Sequence, residues 1–269
     1  MSDILNSFIM GVVEGITEFL PVSSTGHLII TKELLQFQGS DTFEVVIQLG
    51  GVLAVIWFYF SKIWNQVKSV KDSAEVRKFW LTVICAFLPA AFVGLATHKY
   101  ITEYLFNPIT VASSLIVGGI VMWLVEGANF KPKTVELEQM SIRQGFLIGC
   151  AQLFSLIPGV SRSASTIMGG MLFGLDRSTA TSFSFFLSIP TLGAASIYSL
   201  LQDLQGVSDH GVTNIAVGLI TSFVVSLLSI GWLLRYISKH NFRGFAIYRI
   251  IAGVIVLALA LTGFFTTAA

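Results

Sequence analysis

Apolar residues run along this chain in long blocks separated by short polar breaks. An α-helix needs about 20 consecutive apolar residues to cross the hydrocarbon core of a bilayer. By that measure residues 43–60, 79–98, 109–126, 180–201, 212–236 and 245–265 are six expected spans. Two other blocks behave differently. Residues 4–20 run into Pro21-Val22-Ser23-Ser24-Thr25-Gly26 and then a short apolar run, 28–35. Residues 142–157 run into Pro158-Gly159-Val160-Ser161-Arg162-Ser163 and then another, 166–175. Helix, polar break, half-helix is the pattern of a re-entrant hairpin, because irregular backbone at membrane depth survives only where protein or a wet cavity satisfies it. The expected fold is all-α and polytopic: six transmembrane helices plus two re-entrant helix-loop-helix hairpins.

Each hairpin opens one of two similar halves. Phe8-Ile9-Met10-Gly11 aligns with Phe146-Leu147-Ile148-Gly149, and Glu14 with Gln152. After a one-residue shift Pro21 meets Pro158, Ser24 meets Ser161 and Thr25 meets Arg162. Phe43-Glu44 then matches Phe183-Ser184, and Leu115-Ile116-Val117-Gly118 matches Ile250-Ile251-Ala252-Gly253. These matches divide a single integral membrane domain, residues 1–269, into internal repeats of approximately 1–127 and 141–269. A hairpin plus three spans is an odd number of crossings, so the second copy is inverted. Inverted repeats with broken helices place their site near the midplane, where the breaks face each other.

Composition strengthens the membrane reading: 54% of residues are hydrophobic and 12% charged, where soluble domains carry about 25% charge. The charges are also lopsided. On the six-span count Lys62, Lys68, Lys71, Arg77, Lys78, Lys131, Lys133, Arg143, Arg235, Lys239 and Arg243 share one face, and the opposite loops hold only Lys32 and Lys99. Such an excess marks the basic face as cytoplasmic. Both termini and the first hairpin are then expected outside, with the second hairpin entering from inside. A net charge of +1 without a basic stripe argues against a nucleic-acid partner. Cys85 and Cys150 sit in apolar runs and read as small buried hydrophobes. The N-terminal residues lack the basic region and cleavage site of a removable signal peptide. Gly118-Gly119 and Gly169-Gly170 suit close helix packing within one chain or between two, which leaves a homodimer open.

The breaks carry the chemistry. Ionisable groups inside a membrane are costly and are functional hypotheses by default. Glu14 and Glu18 are four apart and share a helix face, where a hard divalent ion such as Mg²⁺ or Ca²⁺ would relieve their repulsion. The alternative is pairing with Arg162 or capping of nearby backbone. Ser23, Ser24 and Thr25, followed by Gly26, open a half-helix whose exposed N–H groups favour an anion; helix capping explains one of the hydroxyls without a ligand. His27 suits general acid–base work near neutral pH. In the second break Arg162, between Ser161 and Ser163, offers a fork suited to phosphate. Glu44 and Gln48 extend the polar surface at the start of the first span, and Gln48 is counted with the substrate-binding set. Arg249 is expected to snorkel or to pair with Glu126. His98, His210 and His240 read as solvated.

Glu14-Gly-Ile-Thr-Glu18-Phe-Leu-Pro-Val-Ser-Ser-Thr-Gly-His27, Phe43-Glu-Val-Val-Ile-Gln-Leu-Gly50 and Pro158-Gly-Val-Ser-Arg-Ser163 together closely resemble the undecaprenyl-diphosphate phosphatases, the bacitracin-resistance protein family. The resemblance covers essentially the whole chain. It implies a hydrolase of the bacterial cytoplasmic membrane that converts undecaprenyl (C55 polyprenyl) diphosphate to the monophosphate carrier and phosphate. Carrier recycling for peptidoglycan synthesis, bacitracin resistance, dependence on a divalent cation and a site opening to the outer face come with it. The family's functional positions fall on Glu14, Glu18, Ser23, Ser24, Thr25, His27, Ser161, Arg162, Ser163 and Thr166. On this reading Glu14 and Glu18 hold the cation, Arg162 grips phosphate, and Ser24 attacks phosphorus with His27 or Glu18 taking its proton. Attack by metal-activated water is the rival mechanism, and a lipid transporter is the rival function.

Overall fold

The computed structural model describes residues 3–37, 41–128, 130–202 and 212–265. His210 lies outside them. The described residues are helical throughout apart from turns and one isolated bridge, Thr134 to Leu175. In order, the helices are α1 (Asp3–Thr17), α2 (Ser24–Leu35), α3 (Asp41–Phe58), α4 (Phe60–Ser69), α5 (Ala74–Tyr100), α6 (Pro108–Gly127), α7 (Ile142–Gln152), α8 (Arg162–Leu172), α9 (Arg177–Gln202), α10 (Val212–Ile237) and α11 (Arg243–Leu261). A π-turn, Ile101–Leu105, extends α5, and a 3₁₀ turn, Leu153–Leu156, follows α7.

Five of the expected spans are single helices long and apolar enough to cross a membrane: α5 with its extension, α6, α9, α10 and α11. The sixth differs. The chain bends by 68° between α3 and α4, so these two make a span only if taken as one bent unit. Lys62, Asn65, Gln66 and Lys68 make α4 too polar to continue into hydrocarbon, while Phe60, Trp64 and Val67 stay exposed along it. That division suits a helix lying along an interface.

At 1.5 Å per residue, α1, α2, α7 and α8 are each too short to cross a core of about 30 Å. Within each pair the two helices pack together, α1 on α2 and α7 on α8. The halves then dock reciprocally: α1 lies on α10 and α7 on α5, while α3 packs on α9 and α6 on α11. Two matched glycines allow the first pairings. A Cβ at Gly11 would stand 2.6 Å from the Gly218 carbonyl, and one at Gly149 would collide with the Ala86 carbonyl. Small residues at such points let helix backbones touch. Gly118 and Gly119 face α11, Gly169 faces Ala151 and Gly170 faces Ala180, so both glycine pairs are used inside the chain. Buried phenylalanines fill the centre, with Phe19 beside the first break edge-on to Phe185 of α9 at 5.4 Å.

Candidate active site

Each break ends on a serine with left-handed backbone that caps the following helix. Ser23 has φ 73° and accepts from the Gly26 N–H; Ser161 has φ 79° and accepts from the Ala164 N–H. Positive φ on a residue with a Cβ is costly and concentrates at functional sites. By backbone, Ser23 corresponds to Ser161 and Ser24 to Arg162, which corrects the pairing of Ser24 with Ser161. The proline register misled because two residues separate Pro158 from Ser161 and only one separates Pro21 from Ser23.

The two breaks meet. Arg162 Nη2 lies 2.9 Å from Glu18 Oε1, and both side chains are buried. The Ser24 hydroxyl donates to the other oxygen of that carboxylate, Oε2, at 2.5 Å. Arg162 Nη1 donates to the Ser184 carbonyl at 3.0 Å and to its hydroxyl at 3.1 Å, and the guanidinium stands 5.8 Å from the Phe19 ring centroid. Its Nε has no partner among the described residues. Ser163 donates to the Leu20 carbonyl at 2.9 Å and lies 3.0 Å from Ser161 Oγ, while Thr166 bonds the Ser184 hydroxyl at 2.7 Å. Ser163 and Thr166 are buried, and their bonds fasten the second break to the first and to α9.

His27 stands apart from Ser24. Its Nδ1 lies 2.7 Å from the Ser23 carbonyl, which can only accept, so Nδ1 carries the proton. Nε2 is left to accept the Tyr248 hydroxyl at 2.5 Å. The group in contact with the Ser24 proton is therefore Glu18, the second of the two acceptors expected from the sequence. Thr25 is half-buried, and Gly26 packs on Val111 and Leu115 of α6. Gln48 is half-buried on α3 and makes none of the bonds that join the breaks.

Glu14 is fully buried, and neither carboxylate oxygen has a partner among the described residues. A buried anion without a partner is expensive, so this pair of oxygens fits a cation. Among the described residues no three His, Cys, Asp or Glu side chains gather into a cage. That donor set suits Mg²⁺, which is commonly held by one or two carboxylates together with substrate phosphates. Gln152, the counterpart of Glu14, is also fully buried, and its Nε2 has no partner among the described residues.

Arg249 departs from expectation. It is fully buried and donates from Nη1 to the Pro21 carbonyl at 3.1 Å, and from Nη2 to the carbonyls of Gly159 at 3.0 Å and Ser114 at 3.3 Å. One guanidinium thus holds both breaks and α6. It neither snorkels nor pairs with Glu126, whose carboxylate takes Arg177 and the Phe242 N–H instead. The missing Cβ of Gly118 makes the room it occupies. The signal was an arginine in the last span opposite Gly118-Gly119. Ser184 was missed too, although the repeat had matched it to Glu44, which forms an ion pair with Lys32. Tyr248 left no signal beyond its place beside Arg249.

The comparisons with known proteins agree over the full length. The profile of the bacitracin resistance protein BacA family matches residues 7–255. An undecaprenyl-diphosphatase of Deinococcus radiodurans is 47% identical over 266 residues, covering 97% of each chain. One of Thermoanaerobacter sp. (strain X514) is 46% identical over 262 residues, covering 96% of this chain and 97% of its own. Another, from Methylobacillus flagellatus, is 47% identical over 262 residues, covering 95% and 97%. This chain belongs to the bacitracin resistance protein BacA family.

Proposed function

We infer that this chain is an undecaprenyl-diphosphatase: it hydrolyses undecaprenyl diphosphate to undecaprenyl phosphate and phosphate, so recycling the carrier for cell-wall synthesis and conferring bacitracin resistance. The names of its relatives support the substrate, and the Ser24–Glu18–Arg162 arrangement supports the chemistry. Phosphoryl transfer needs a positioned nucleophile, a proton acceptor and neutralisation of phosphate charge. Arg162, through its unpartnered Nε and the Nη2 it releases from Glu18, takes oxygens of the terminal phosphate, helped by N–H groups at the start of α2. Ser24 Oγ bonds to the terminal phosphorus as its proton passes to Glu18, and the bond from phosphorus to the bridging oxygen breaks, releasing undecaprenyl phosphate. Water then attacks the phosphoserine: Glu18 returns the proton it holds to Ser24 Oγ as the phosphorus–serine bond breaks, and the water proton leaves on the released phosphate, so Glu18 is a carboxylate again. Glu14 would hold a divalent ion (Mg²⁺ or Ca²⁺), with Glu18 beside it. When bound, that ion supplies charge neutralisation to the diphosphate. Thr25, Ser161 and Gln48 complete the substrate-binding set, and His27, oriented by Tyr248, moves protons at the edge of the site.

The hairpins are re-entrant and the halves, about 1–127 and 141–269, form an inverted repeat; the reciprocal docking of α1 on α10 and α7 on α5 supports this. The protein lies in the bacterial inner membrane with both termini outside, as the charge asymmetry argues, and the site opens to the outer face, as the family's lipid substrate implies. Exposed apolar side chains of the spans meet lipid, and a homodimer would use surfaces other than the glycine pairs.

The test is phosphate release from a polyprenyl diphosphate by purified protein, with and without EDTA, alongside Glu18→Gln and Arg162→Ala. Metal-dependent release abolished by both variants is expected. A transporter, the second reading favoured by the broken helices, would bind the lipid and release none.

A further inference from the structure

A polar cavity lies away from the breaks, on the basic face. It has a volume of about 490 Å³ and is lined by Lys131, Lys133 and Arg143 together with Phe130, Leu147 and Phe173. Its walls are fastened. Gln144 Nε2 donates to Thr134 Oγ1 and to the Phe173 carbonyl, both at 3.1 Å, and Thr134 forms a bridge with Leu175. The acids of the same segment are engaged elsewhere: Glu138 pairs with Lys62 at 2.8 Å, and Glu136 accepts from Gln139 at 2.9 Å. Lys131, Lys133 and Arg143 have no ion pair among the described residues. Three uncompensated cations therefore face one preformed cavity.

Ser141 and Gln144 add neutral polar groups to the lining, and the rest of it is apolar apart from Gly174. Leu147, Met171, Leu172 and Phe173 form one side of the cavity. Leu172 is also exposed, and Ile142 and Phe146 stand exposed on α7, one turn apart. A free anion would gain nothing from such walls, whereas a phosphodiester carrying a glycerol and acyl chains would use both parts. Basic pockets beside transmembrane helices on a cytoplasmic face bind anionic headgroups for this reason.

We propose that this cavity binds the phosphate headgroup of an anionic membrane lipid, with Lys131, Lys133 and Arg143 on the phosphate and the acyl chains passing over Leu172 and Phe146. The ligand rests on the base of the α7–α8 hairpin and shares no residue with the site at the breaks, so the proposal stands apart from the phosphatase reading.

Intact protein in detergent would be titrated with dioleoylphosphatidylglycerol or dioleoylphosphatidylcholine and retained lipid counted by native mass spectrometry, with and without millimolar inorganic phosphate. The expected result is selective retention of phosphatidylglycerol that inorganic phosphate does not displace. Each cation near an anionic headgroup is worth roughly fivefold in affinity, so Lys131→Gln/Lys133→Gln/Arg143→Gln should lose on the order of a hundredfold and Lys133→Gln alone roughly fivefold. Lys68→Gln/Lys71→Gln/Arg77→Gln, on the same face but outside the cavity, should retain the lipid. Equal retention of phosphatidylcholine would overturn the proposal, as would equal loss in both triple variants or no loss in any. Displacement by inorganic phosphate would assign the cavity to the free ion and overturn the lipid.

Discussion

The Ser24 hydroxyl donates to Glu18 at 2.5 Å, across the first break. Without substrate Arg162 occupies the other oxygen of that carboxylate, so Oε2 is already turned to the serine when Nη2 leaves for the phosphate. Ser24→Ala should reduce phosphate release at least about a thousandfold, with lipid diphosphate still bound. Near-normal turnover would transfer the attack to a water molecule.

Glu14→Gln replaces an unpartnered buried anion by a neutral group of the same shape. Removing an uncompensated buried charge does not destabilise, so the thermal midpoint in detergent should hold or rise. The divalent-ion concentration needed for half-maximal phosphate release should rise by about tenfold or more. Unchanged ion dependence would take Glu14 out of that role.

Arg249 supplies donors to three buried carbonyls, two of them in the breaks. Arg249→Met leaves those acceptors unsatisfied and should cost about 3 kcal/mol or more. Phosphate release should fall with it, because the two breaks lose their common anchor. Gly118→Val, which pushes a side chain into the guanidinium, should act in the same direction. Wild-type midpoints in both variants would show that the breaks hold without this clamp.

Glu138 sits in the turn Leu137–Gln139 between α6 and α7, outside the spanning helices. Burial pushes its carboxyl up, but the hydrogen bond and charge of Lys62 outweigh that, so its pKa is lowered. A carboxyl lowered on folding contributes stability above its unfolded value and loses it as pH falls through the folded one. Glu138→Gln should therefore lower the midpoint slightly at neutral pH and converge with the parent below the carboxylate range. A difference that persists at low pH would trace the effect to packing instead.

The convergence of the two breaks was legible because Glu18, Ser24 and Arg162 are polar groups in apolar surroundings, and such groups must find one another. Their division of labour was not. His27 looked like the partner of Ser24 because three residues place the two on one helix face. Helix geometry turns its ring instead to the Ser23 carbonyl and to Tyr248, a residue 221 positions away. Nor did the sequence show the bend at Tyr59, since α3 and α4 join without a proline or glycine between them.

The sequence by itself determined five of the six spans, the short paired helices and the meeting of Glu18, Ser24 and Arg162, because hydropathy and the cost of buried charge act locally. Only the tertiary structure decided that Glu18 holds both Ser24 and Arg162 while Glu14 is left without a partner. It also decided that Arg249 clamps both breaks instead of pairing with Glu126. These choices depend on which buried acceptors lie within a few ångströms once the helices have packed, and no periodicity along the chain encodes that distance.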